Sequence, residues 1–124
     1  MGRENDAEPI VAALQEAWAQ AFAARDIGAM TSLYCDDALF FGSTAVLYRG
    51  RGGVRAYFAT LRKDIVLEGF EHFESSMRRH DLIIAAGYWR FRFGAEVRPY
   101  RLTWTLLHED GAWRIAAHHA SPRG

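Results

Sequence analysis

The chain predicts an α+β fold in which three helices come first and a long, mainly antiparallel sheet comes last. Apolar residues recur every three or four positions in the first half, and from Ile65 onward they alternate. Short polar stretches then cut the second half into four runs, the pattern of strands joined by hairpins. Because the helices precede the strands instead of alternating with them, they are expected to cover one face of a single sheet.

Asn5 or Asp6 is placed to cap the first helix, in which Val11, Leu14, Trp18 and Phe22 form one apolar stripe. The sequence "ARD" ends it, and Asp26 is a good cap for a short second helix carrying Ile27, Met30, Leu33 and Tyr34. Asp36 and Asp37 then precede the apolar "ALFFG", read as a strand. "RGRGG" breaks the chain, and Val54, Tyr57, Phe58 and Leu61 continue at helical spacing as far as Lys63. The four later strands are "VLEGFEHFESSM", "LIIAAGYWRFRF", "YRLTWTLLH" and "WRIAAHHAS", separated by "RRHD", "GAEVRP" and "EDGA".

At 124 residues, half of them hydrophobic by count (50%), the chain suits one domain, 1–124, with one core. Fifteen basic residues balance fifteen acidic ones, so no overall field favours nucleic acid or an anionic membrane. No apolar run approaches the ~20 residues of a membrane span, and the polar "MGRENDAEP" lacks the apolar stretch of a secretory signal, so a cytoplasmic protein is expected. The lone Cys35 excludes an internal disulfide and a cysteine-based zinc cluster, and reads as a small core residue. The five histidines include no helical i, i+4 pair and no H-x-H pair, so no metal is expected, and no motif calls for a cofactor. In "WRFRF", alternation sends Arg90 and Arg92 to the face opposite Trp89, Phe91 and Phe93, which breaks up any nucleic-acid stacking platform.

The adjacent His118 and His119 must point to opposite faces of their strand. In "HEDGAW", a three-residue loop of Glu109, Asp110 and Gly111 with a left-handed glycine bulge pairs His108 with Ala112. That register groups Arg101, Thr103, Thr105, Leu107 and His119 on one face and Leu102, Trp104, Leu106 and His118 on the other. Both faces are substantially apolar. With the first face turned toward the helices, Leu102, Trp104 and Leu106 form an outer patch that a homodimer would bury.

The stretches "ARDIGAMTSLYCDDALFFG", "YRGRGGVRAYFATL" and "RLTWTLLHEDGAWRIAAHHAS" cover most of the chain, and together they resemble the nuclear transport factor 2-like superfamily. Within it the chain resembles the SnoaL-like family, and more loosely the calcium/calmodulin-dependent kinase II association domain. The resemblance implies a cone-shaped half-barrel, three N-terminal helices packed on a strongly curved sheet, with a pocket between them. It also implies frequent dimerisation through the outer sheet face. Isomerases, cyclases, dehydratases and pure binding proteins share this fold, so the reaction must be read from the pocket.

On that frame the expected pocket places Arg101, Thr103 and His119 on the concave face, lined further by Trp18, Tyr34, Phe40, Phe58, Trp89 and Phe91. His119 would be a general acid or base, with Arg101 holding a carboxylate or a developing oxyanion. Asp37 has two readings: a base, or an acceptor of backbone hydrogen bonds where helix meets strand. No other carboxylate stands out. The expected function is a pocket for a small hydrophobic or aromatic molecule with proton transfer at His119; the alternative is a non-catalytic association module.

Overall fold

The computed structural model describes residues 4–123, with side chains from residue 6. Helix α1 spans Glu4–Ala24 and buries Val11, Leu14, Trp18 and Phe22, the stripe expected of it, together with Ala7. It is already under way at Glu4, so its cap falls outside the described residues and is neither Asn5 nor Asp6. It stops where Arg25 turns left-handed at φ 54° and the amide of Asp26 bonds back to the carbonyl of Ala21 at 3.0 Å. A non-glycine there is strained, and the Arg25 guanidinium compensates by donating to the carbonyls of Phe22, Lys63 and Ile65, tying the helix end to the start of the sheet.

Asp26 caps α2 (Ile27–Ser32), accepting from the Ala29 amide at 3.0 Å. Strand β1 (Tyr34–Phe41) starts before the two aspartates, which lie exposed within it. A short β2 (Leu47–Arg49) was not legible in the sequence: three largely solvent-facing residues carry no alternation to detect. Helix α3 (Gly50–Ala59) takes "GRGG" as its first turn, with Arg49 as its cap position, and ends before Lys63. Gly50, at φ 67°, makes the sharp exit from β2.

The remaining strands are β3 (Ile65–Arg79), β4 (Leu82–Phe93), β5 (Glu96–Glu109) and β6 (Ala112–Pro122). The sheet order is β2-β1-β6-β5-β4-β3, antiparallel throughout except for the β1–β6 pair, which is parallel. Three register shifts in β3 bend the sheet, and its two edge strands do not meet, giving an open, curved half-barrel.

The hairpin between β5 and β6 differs from the expected one. Glu109 pairs with Ala112, leaving a two-residue turn of Asp110 (φ 53°) and Gly111 (φ 79°). Positive φ at both positions is the geometry that Asp-Gly favours, and its twist matches the strands better than the three-residue loop. A bulge then inserts one extra residue of β6, Ala116, between the Leu106–Ile115 and Thr105–Ala117 pairs. The extra residue restores the grouping of faces: Trp104 pairs with His118, and Thr103 with His119.

It is the direction of the faces that is reversed. Leu102, Trp104 and Leu106 are at most 1% exposed within the single chain, so they belong to its own core and cannot form a dimer interface. Burying three such side chains contributes about 2 kcal/mol each, whereas turning Arg101 and Thr103 inward would desolvate polar groups. Arg101, Thr103 and His119 therefore face out.

Candidate functional site

Between α1, α3 and the concave face of the sheet lies a cavity of about 410 Å³. Trp18 reaches it from the buried stripe of α1, Tyr57 and Phe58 from α3, Phe40 from β1, and Trp89 and Phe91 from β4. The rings interlock: Trp18 lies 4.8 Å from Trp89 and 5.7 Å from Phe58, and Phe40 lies 5.6 Å from Phe58. Five of the expected lining residues, Trp18, Phe40, Phe58, Trp89 and Phe91, thus border one space, while Tyr34 lies fully buried behind it.

The polar end of the cavity wall is built on His118. Its partner in the strand pairing, Trp104, donates its indole N–H to His118 Nδ1 at 3.1 Å, and the Tyr34 hydroxyl lies 3.0 Å from the same nitrogen. An indole N–H can only donate, so Nδ1 accepts and the ring proton sits on Nε2. Trp18 in turn donates to the Tyr34 oxygen at 3.0 Å, which turns the tyrosine proton toward the one Nδ1 lone pair, shared there with the Trp104 N–H. The relay runs from Trp18 through Tyr34 to His118 and is met by Trp104, occupying Nδ1 and leaving Nε2–H without a partner among the described residues. His118 lines the cavity.

Burial, with a smaller contribution from His119, pushes the His118 pKa down to about 3, so its imidazole is neutral at physiological pH. Burial likewise raises the Tyr34 pKa far beyond its usual range, keeping its proton in place. The Cys35 thiol is pushed up to about 12, by burial first and then by Glu109, which removes it as a nucleophile.

At the other end, Tyr57 accepts from the Ser43 amide and meets the Ser43 hydroxyl, each at 2.9 Å, closing the α3 side. Arg62 and Arg98 stand at the rim, their guanidinium carbons 5.6 and 4.2 Å from the Phe93 ring centroid. No Asp or Glu lines the cavity among the described residues. The Trp89 indole nitrogen is buried without a hydrogen-bond partner.

The expected catalytic set is not assembled. His119 lies on the outer face, 5.4 Å from Phe41; Arg101 donates to the Pro122 carbonyl at 2.9 Å; Thr103 pairs beside His119. The three share a face, but it is the solvent side of the sheet. Asp37 is exposed and away from the cavity, and the helix-to-strand junction is held by its neighbour: Asp36 pairs with Arg51 at 2.7 Å, while Arg51 also donates to the Tyr34 carbonyl. His118 was missed because the more apolar face was assigned outward, although its grouping with Trp104 was legible. Arg62 and Arg98 carried no periodic signal at all. Among the described residues no group of three His, Cys, Asp or Glu side chains is placed to hold a metal ion, and no helix is long and apolar enough to cross a membrane.

Comparison with family models matches residues 11–123 to the SnoaL-like domain. The chain belongs to the SnoaL-like family. No curated protein matches this SnoaL-like chain significantly. Among solved structures it is similar to a nuclear transport factor 2-like protein of unknown function from Pseudomonas putida, with a TM-score of 0.83 at 24% identity over 97% of this chain and 89% of that one. A ketosteroid isomerase-like protein from Erwinia carotovora aligns with a TM-score of 0.80 at 18% identity, covering 94% and 95% of the two chains. A nuclear transport factor 2-like protein with a cystatin-like fold from Novosphingobium aromaticivorans gives 0.79 at 13% identity, over 93% and 80%. At such identities these structures share the fold of the SnoaL-like chain, a curved α+β half-barrel, and say nothing further about its chemistry.

Proposed function

We propose that this SnoaL-like protein binds a small aromatic molecule in the cavity and that His118 donates a hydrogen bond from Nε2 to a carbonyl or similar acceptor on it. The observation that supports this reading most directly is the occupation of Nδ1 by Trp104 and Tyr34, which fixes both tautomer and charge. A neutral imidazole pushed to a pKa of about 3 is a poor base at neutral pH but a competent donor. Without a carboxylate in the lining, base-driven isomerisation has no proton acceptor of suitable strength, so binding with carbonyl polarisation fits better than proton abstraction. The cavity volume lies in the lower part of the range typical of small-molecule sites.

Trp18 and Trp89 both line the cavity, so quenching of tryptophan emission reads occupancy. The probes are 2-acetonaphthone and 2-ethylnaphthalene, which share a shape and differ in the carbonyl. The ketone should bind about fivefold more tightly, the order of one net hydrogen bond, and filling the cavity with Ala120→Phe should abolish both. Equal binding of the two would remove the role of His118; binding that survives Ala120→Phe would remove the site.

A second reading is favoured by the outer face. Leu39, Phe41 and Ile84 are 46%, 36% and 45% exposed there, beside Thr103, Thr105 and Ala117. We infer that this face, and not the buried Leu102–Trp104–Leu106 face, is where two copies would associate. Sedimentation of wild type and Phe41→Asp tests it: a dimer converted to monomer supports the reading, and a monomeric wild type ends it.

A further inference from the structure

The geometry points to an aromatic carboxylate as the ligand, its ring system among the aromatic side chains and its anionic group at the rim between Arg62 and Arg98. The inference rests on the binding reading above and adds the charge and orientation of the ligand. All formal charge in the cavity lining is positive and all of it is at one place. Arg62 and Arg98 approach the same Phe93 ring, at 5.6 and 4.2 Å, from segments far apart in the chain, the loop between α3 and β3 and the start of β5. Phe93 itself lines the cavity, so both guanidiniums are seated where the apolar interior meets water.

The two positive charges oppose each other. Arg62 is pushed up by its hydrogen bond and charge pairing with Asp64 and is eased down by Arg98. Arg98 is pushed up chiefly by its hydrogen bond to Glu96. Neither carboxylate is deep: Asp64 and Glu96 side chains are 54% and 64% exposed, so each pair is screened and cheap to rearrange. Asp64 takes Nε and Nη2 of Arg62, and Glu96 takes Nη2 of Arg98, which is also supported by Tyr100, so Nη1 of both guanidiniums is engaged by neither carboxylate. A planar carboxylate can engage such donors from two sides at once, which a point cation or a neutral group cannot reproduce. The rim therefore selects for anions, while the interior, with its rings and the N–H donors of His118 and Trp89, selects for a flat body.

The test compares 2-naphthoate with its neutral isostere 2-naphthamide by tryptophan quenching, in wild type and in the Arg62→Gln, Arg98→Gln double variant, with 2-acetonaphthone alongside. Naphthoate should bind about tenfold more tightly than the amide, the order of two partly exposed charge pairs. That preference should shrink to about twofold in the double variant and fall with added salt, while 2-acetonaphthone affinity stays within twofold. Ketone binding in wild type with no preference for naphthoate would overturn this inference and leave the binding reading standing. Absence of binding by all three probes would overturn both. A naphthoate preference that survives the double variant would place the anion elsewhere and overturn the assignment to the rim.

Discussion

His118 ties stability to pH in a direction that can be worked out in advance. In the unfolded chain its imidazole titrates near pH 6.5, and in the folded protein burial holds it down at about 3. A depressed histidine pKa means that the unfolded state takes up a proton which the folded state refuses. Its contribution is therefore fully present above pH 6.5 and is lost as pH falls from there toward 3. One proton per molecule corresponds to about 1.4 kcal/mol per pH unit, so between pH 8 and pH 5 the loss is about 2 kcal/mol, a large share of a domain stability of roughly 5–15 kcal/mol. The matched control is His118→Gln, whose amide oxygen can still accept from Trp104 and Tyr34 but has no proton to gain. Urea unfolding of both proteins at pH 8, 7, 6 and 5 isolates the difference, because every other titrating group is common to the pair. Wild type should lose about 2 kcal/mol more than the variant across that range, with unchanged m-values. Parallel pH profiles would show that His118 is protonated in the folded state, and both its tautomer and its role as neutral donor would fall with that result.

Three further outcomes follow from named contacts. Tyr34→Phe strips Trp18 of its acceptor and His118 of one donor, and should cost about 1–3 kcal/mol by urea unfolding; a cost under half a kcal/mol would show that the relay is dispensable. Gly87→Ala would set a methyl group 2.4 Å from a Phe73 ring carbon and 2.7 Å from its Cα, so it should lower stability by about 1–3 kcal/mol, with the thermal midpoint as the readout. His119→Ala, altering a side chain on the solvent face of β6, should leave 2-acetonaphthone affinity within twofold; a tenfold loss would reinstate the inward orientation.

What the sequence made legible was what a repeating pattern can carry. The α1 stripe of Val11, Leu14, Trp18 and Phe22, the cap at Asp26 and the four long strands each repeat a period over several residues, and each formed. The three-residue β2 repeats nothing, and Pro99 disguised the first residues of β5 as a loop although Glu96 pairs with Phe93 across a tight turn. The site failed for a different reason. Beyond the bulge the faces group as expected, although Ile115 falls on the buried side with Leu106, but their direction is the reverse, because the three large apolar side chains beside His118 have the stronger claim on the interior. Arg62 and Arg98 meet only in three dimensions, around Phe93, and no spacing along the chain announces that.

The parallel pairing of β1 with β6 has a consequence for how the protein is made. β6, the final strand, is inserted between β1 and β5, in the interior of the sheet and not at its rim. Until it emerges from the ribosome, the N-terminal segment with β1 and β2 has no partner edge to join, and the β3–β5 meander presents an open flank. Assembly thus waits for long-range closure across some eighty residues between Tyr34 and Ile115, and folding should be slow and exposed to misassociation until β6 is in place.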